Sequence, residues 1–131
     1  DGYTSAAVRW DDEELTFLSP LPGYHQSVTA SVNSQGLAVG LSLRTIEPID
    51  LAPTIWDEQG LPHNLRDLIE TDKTIHLEHS LWIDERGRIV AQGYEQIAGR
   101  WSAKAFFLTP IPEPAMIGVI VMLGIGLRRV R

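Results

Sequence analysis

Through residues 1–110, apolar side chains come in short runs, many of them β-branched or aromatic, broken by polar clusters. Such a pattern favours strands over helices. The candidate runs are Ala6–Trp10, Leu15–Leu18, Ser27–Val32, Leu37–Leu43, Thr54–Trp56, Leu81–Ile83, Arg88–Tyr94 and Ala103–Leu108. The eight prolines are expected at run edges or in loops, where a missing N–H costs little. Leu65–Ile75 is ambiguous and could hold a helical turn; Arg66, Asp67, Glu70, Asp72 and Lys73 make it polar and exposed.

One turn pattern occurs three times between apolar runs, as Asn33-Ser34-Gln35-Gly36, Asp57-Glu58-Gln59-Gly60 and Asp84-Glu85-Arg86-Gly87. Its Asx side chain accepts hydrogen bonds from the backbone ahead, and its Gly takes a positive φ without steric cost. The combination suits a type I turn followed by a bulge, a common hairpin loop. The expected body is antiparallel and all-β.

A longer period is also present. Ala7-Val8-Arg9-Trp10 precedes Val32–Gly40, and Pro53-Thr54-Ile55-Trp56 precedes Ile83–Val90 with Gly93 close behind. A third unit opens at Ala105-Phe106-Phe107-Leu108. The Trp10-to-Trp56 offset is 46 and the Gly36-to-Gly87 offset is 51, within the range of propeller blades. Two units and a fraction do not close a ring, so the expectation is a partial set of propeller-like blades, the C-terminal portion of a longer body. These residues resemble the HAF-type extracellular repeats of bacteria, in which an Ala-Phe-x-Trp-like strand precedes an Ile-Asn-x-x-Gly-x-Val-Val-Gly hairpin. The resemblance spans roughly residues 5–108. It departs from the family at Gln92 and in the leading His-Ala-Phe, of which only Ala105-Phe106 remains. It implies a propeller-like surface protein and brings no catalytic activity.

Charge divides the chain in two. Residues 1–110 carry eight basic and sixteen acidic side chains, a net −8, whereas residues 111–131 carry three arginines and one glutamate, a net +2. An acidic body repels phosphate backbones, which argues against a nucleic-acid partner. With no cysteine, there is no disulfide framework, thiolate metal site or cysteine nucleophile. The first methionine is Met116 and no basic-then-apolar leader opens the chain, so an export signal is expected upstream.

The last twenty residues read Pro112-Glu113-Pro114, then Ala115–Leu127 without a charge, then Arg128-Arg129-Val130-Arg131. The prolines hold the tripeptide extended and open to a processing enzyme. The 13 residues of Ala115–Leu127 are expected as one short apolar helix of about 20 Å. That is less than the hydrocarbon core of about 30 Å, so spanning requires the shoulder, local thinning and arginine snorkelling. A buried C-terminal helix is the plainer reading of such a length, but a surface helix needs a polar face that this segment lacks. The three parts, ordered and terminal, resemble the PEP-CTERM sorting signal of exported proteins in Gram-negative bacteria that make extracellular polysaccharide. That resemblance implies an exosortase-type membrane enzyme acting at Pro112, Glu113 and Pro114. It also implies a transient inner-membrane anchor with Arg128, Arg129 and Arg131 on the cytoplasmic side.

Other candidate chemistry is read as structural. His76 and His79 would share a face on a helix but oppose one another on a regular strand, and no third ligand pair stands nearby. Asp11-Asp12, Glu13-Glu14, Asp57-Glu58 and Asp84-Glu85 are expected as solvated turn carboxylates rather than a glycosidase pair. Trp10 and Trp56 are expected to pack in the core, with Trp101 exposed; Ser27, Ser31 and Ser34 are ordinary strand and turn serines. No catalytic residue, metal or cofactor is assigned. The expectation is an exported surface or extracellular-matrix protein, precursor in the inner membrane, with a structural or polysaccharide-binding body. The alternative is the end of a secreted propeller enzyme acting on polysaccharide, with its site in upstream blades.

Overall fold

Every Asx-x-x-Gly segment closes a hairpin through the same set of bonds. The carbonyls of Asn33, Asp57 and Asp84 accept from the N–H of Gly36 (3.1 Å), Gly60 (2.8 Å) and Gly87 (3.1 Å). The Asx side-chain oxygens accept the next two free N–H groups, those of Gln35 and Leu37, Gln59 and Leu61, and Arg86 and Arg88. The closing glycines hold φ of 90°, 83° and 81°, where a Cβ would be strained.

These turns join most strands of an all-β chain. The computed structural model describes residues 7–11 and 14–110, with 120–122 as backbone. Its strands are β1 (Ala7–Asp11), β2 (Glu14–Leu18), β3 (Gln26–Val32), β4 (Ala38–Arg44), β5 (Asp50–Trp56), β6 (Pro62–Asn64), β7 (Ile69–Glu70), β8 (Ile75–Ile83), β9 (Ile89–Ile97), β10 (Arg100–Pro110) and β11 (Ile120–Met122). A 3-10 helix covers Leu65–Leu68, and there is no α-helix among the described residues. The sheets are the pair β1-β2, the meander β3-β4-β5-β6, and a third ordered β7-β11-β10-β9-β8. All pairings are antiparallel except β7 with β11.

The sheets stack as layers. Leu18, Ala38 and Trp56, with Ala7 against them, fill the space between the first two. A larger core sets Val39, Ile55 and Leu65 against Leu77, Ile83, Ile89, Ala91, Phe106 and Leu108 of the third. The stack is open, and no ring or barrel closes among the described residues.

The internal repeat is visible in register. The buried pair Ala38–Trp56 recurs as Ile89–Leu108, each facing the preceding layer, and Val39–Ile55 recurs as Val90–Phe107. A bulge in β3 between Thr29 and Ser31 stands opposite Gly40, and one in β8 between Leu77 and His79 stands opposite Gly93.

Several expectations are corrected. Ile120–Met122 form a strand between β7 and β10 rather than part of a helix over 115–127. The β-branched Ile120 and Val121 suit a strand, and pairing there satisfies two open edges that a helix would leave unbonded. The rest of that segment lies outside the described residues. Leu65–Ile75 is not simply exposed: Leu65 is fully buried, and Arg66 donates to Leu77 O (2.7 Å) and Leu51 O (2.8 Å). Pro53 sits inside β5, tolerated because β6 pairs only with Thr54–Trp56.

Candidate functional site

The sorting residues Pro112, Glu113, Pro114, Arg128, Arg129 and Arg131 lie outside the described residues. What is described is the approach to them: β10 ends at Pro110, and Pro112 follows two residues later. No helix among the described residues is long and apolar enough to cross a membrane.

Within the body, a polar constellation links the three turns across the layers. Arg9 points inward from β1 and is only 8% exposed. Its guanidinium donates to Gly36 O, to Asp57 O (3.3 Å) and to Glu58 O (2.8 Å), clamping two turns with one side chain. Asn33 Nδ2 donates to Asp84 O (3.0 Å), and the Glu85 carboxylate accepts from the Ser34 N–H (3.0 Å) and its hydroxyl. Of the carboxylates expected as solvated at turns, Asp57 and Asp84 lie in these turns but accept backbone hydrogen bonds; Asp11 and Glu14 lie in β1 and β2, and Asp12 and Glu13 lie outside the described residues.

Burial pushes the Asp57 carboxyl up, but hydrogen bonds from His63 and from the Leu61 and Gln59 N–H groups outweigh it, leaving the group below the usual carboxylate range. Asp84 is likewise held low, desolvation being outweighed by the Arg88 N–H, its guanidinium and the Arg86 N–H. A folded-state pKa below the unfolded one contributes stability that is fully present above the unfolded value, about 3.9, and lost as pH falls through the folded value. Asn33 shows that a neutral oxygen closes the same turn. The double variant Asp57→Asn/Asp84→Asn should therefore fold, with a urea midpoint that falls less steeply than that of the parent below about pH 4. Parallel slopes would refute this.

A groove of about 460 Å³ opens beside Leu21, Tyr24, Pro62, His63, Asn64 and Asp67. Its polar groups are largely committed. The Tyr24 hydroxyl donates to Asp50 Oδ2 (2.6 Å), and Arg44 lies 4.7 Å over the Tyr24 ring and pairs with Asp50 (3.6 Å). That Tyr24 hydrogen bond, aided by Arg66 and Arg44, lowers the Asp50 pKa despite burial.

His76 and His79 do share a face, because the extra residue in the β8 bulge shifts the alternation and pairs them with Tyr94 and Gln92. His76 Nε2 stands 3.3 Å from an Arg66 nitrogen and 3.8 Å from Glu78. No group of three metal-ligating side chains assembles among the described residues. Of the tryptophans, Trp56 is buried with Nε1 donating to Ser19 O (2.7 Å), and Trp101 is exposed. Trp10 is 70% exposed, against expectation, because among the described residues no layer covers that face of β1 and β2.

Sequence reasoning missed the serines that peg sheet to sheet, Ser27 and Ser80 buried and Ser31 partly so. Ser27 Oγ donates to Leu18 O (2.7 Å) and accepts the Ala7 N–H (2.9 Å); Ser31 Oγ accepts the Ile83 N–H (3.2 Å). Ser80 Oγ accepts the Gly40 N–H (3.1 Å) and donates to Gly40 O (2.8 Å). A small hydroxyl recurring in otherwise apolar runs was the available signal. No family model, curated protein or solved structure matches this chain.

Proposed function

We propose that the chain is an exported bacterial surface or extracellular-matrix protein, sorted and processed through its C-terminal tail, with a structural or binding body built of propeller-like layers. One observation carries the reading: Pro112-Glu113-Pro114, the uncharged Ala115–Leu127 and the basic Arg128-Arg129-Val130-Arg131 follow one another at the end of the chain. Each part has its own physical task. The tripeptide keeps the backbone extended for a processing enzyme of exosortase type. The apolar segment enters the inner membrane, where backbone groups must be satisfied internally, so in lipid Ile120–Met122 give up strand pairing for helix. The arginines stay cytoplasmic because carrying guanidinium groups across lipid is costly. Extracellular polysaccharide is the ligand class that fits a matrix location.

Replacing Pro112-Glu113-Pro114 by three alanines should leave insertion intact and block maturation. Mass spectrometry of the exported protein decides it: the parent is recovered without Arg131, and the variant accumulates uncleaved in the membrane fraction. Recovery of intact Arg131 from the extracellular fraction at equal levels in both would refute the reading.

A further inference from the structure

The groove of about 460 Å³ lies in the range of about 300–1,000 Å³ typical of small-molecule sites. One wall is the β2–β3 connection, with Pro22 and Tyr24; the other is β6 and the 3-10 helix, with Pro62, His63, Asn64 and Asp67. Both walls are fixed. The Leu21 N–H donates to Ser42 Oγ (3.0 Å) and the Tyr24 N–H to Leu21 O (3.0 Å). The Tyr24 ring is held by its hydroxyl bond to Asp50 and by Arg44 over one face. Opposite, Asn64 Oδ1 accepts the Arg66 N–H (3.0 Å), and the Arg66 side chain anchors the 3-10 helix to the Leu51 and Leu77 carbonyls. Walls already ordered lose little freedom when a ligand arrives.

Most polar groups here are committed, and the exceptions define a ligand. The exposed Asp67 carboxylate has no hydrogen-bond or ion-pair partner among the described residues. Asn64 uses Oδ1 for its cap and leaves Nδ2 open, and His63 uses Nε2 on Asp57 Oδ2 (2.9 Å) and leaves Nδ1 open. A carboxylate accepts several hydrogen bonds and an amide nitrogen donates two. The rings of Tyr24, Pro22 and Pro62 supply apolar surface beside them. A pyranose is divided in the same way: hydroxyls around its rim donate and accept, and its C–H faces settle on apolar rings. Charge narrows the class. The groove is lined by a carboxylate and by no lysine or arginine, within a body of net −8, so phosphates, sulfates and uronates are repelled. The Arg44 and Arg66 guanidiniums are turned to Asp50 and to backbone carbonyls and do not line it. Because the groove is open rather than enclosed, a unit inside a polymer can enter as well as a chain end.

We propose that this groove binds an uncharged pyranose unit of a polysaccharide. Asp67 accepts from its hydroxyls, Asn64 Nδ2 donates to one of them, and the rings of Tyr24, Pro22 and Pro62 take its C–H faces. This deepens the matrix reading by giving its body a ligand site, and rests on the binding-body half of that reading. The described lining runs from Leu21 to Leu68. Failure to bind therefore leaves tail processing standing, and failure of processing leaves the groove standing.

The test is amide NMR of the full chain titrated to about 10 mM with cellohexaose, mannohexaose, galactohexaose and xylohexaose in turn, and with hexagalacturonate and hexalysine as charged comparisons. At least one neutral hexamer should shift the amides of Tyr24, His63, Asn64 and Asp67 with a Kd of about 1 mM or tighter. Asp67→Ala should weaken it about ten-fold, the loss expected of a charge-assisted hydrogen bond. Asp67 is exposed, so the variant folds, and unchanged amide positions away from the groove verify it. Hexagalacturonate should bind at least about ten-fold more weakly than the neutral hexamer. No shift with any of the four neutral hexamers overturns the proposal, as do shifts confined to other surfaces or affinity unchanged in Asp67→Ala. Equal binding of hexagalacturonate would refute the charge argument. Hexalysine bound at the groove with no neutral sugar bound would make it a cationic-peptide site and equally overturn the proposal.

Discussion

Gly93→Ala is expected to destabilise the fold severely, and Gly40→Ala to do the same from the neighbouring layer. A Cβ at Gly93 would lie 2.2 Å from His76 O and 2.7 Å from Leu77 Cα; at Gly40 it would lie 2.0 Å from Val28 O and 2.9 Å from Thr29 Cα. All four are backbone atoms of the strand hydrogen-bonded to the glycine's own strand, at its bulge. A crowded side chain can change rotamer, but backbone in a ladder moves only by giving up pairing. Ordinary overpacking costs about 1–3 kcal/mol, and this substitution should exceed about 4 kcal/mol, a large share of the 5–15 kcal/mol typical of a domain, about 10 in the middle. Gly99→Ala makes the comparison: its φ is 78° with nothing within 4 Å of the added carbon, so it should cost only about 1 kcal/mol. Urea titrations of the three variants check the order. Gly93→Ala unfolding at the parent midpoint would mean that β8 and β9 are not paired in this register.

Arg9→Ala should detach the first layer while the rest of the stack stands. Removing the guanidinium strips donors from the Gly36, Asp57 and Glu58 carbonyls at a nearly enclosed site. Lost charge-assisted bonds of this kind cost about 2–4 kcal/mol in sum. The β1-β2 pair is a two-stranded hairpin, marginal by itself in water, so the loss falls there first. Hydrogen exchange should show β1 and β2 amides unprotected, with β8, β9 and β10 close to parental. Arg9→Lys should rescue little, because a single ammonium lacks the planar fork that reaches two turns at once. Uniform loss of protection across the sheets would count against a local clamp.

These cases separate what local chemistry decides from what packing decides. The Asx-x-x-Gly turns were legible from the chain because their donors and acceptors all lie within four residues of Asn33, Asp57 or Asp84, and so were the hairpins and the repeat that they punctuate. Short apolar runs sufficed for the all-β class. The tail motif, too, is a property of order along the chain. The faces were another matter. Trp10 and Trp56 hold the same place in the repeat, and one is exposed while the other is buried, because burial depends on whether a layer lies opposite. His76 and His79 share a face only through a bulge that no local pattern announced, and Arg9 and the inter-sheet serines find partners at separations of 9 to 52 residues. Ile120–Met122 became a strand because open edges stood beside them. Turn geometry is settled by neighbours in sequence, whereas burial, register and edge pairing are settled by whichever distant strand arrives alongside.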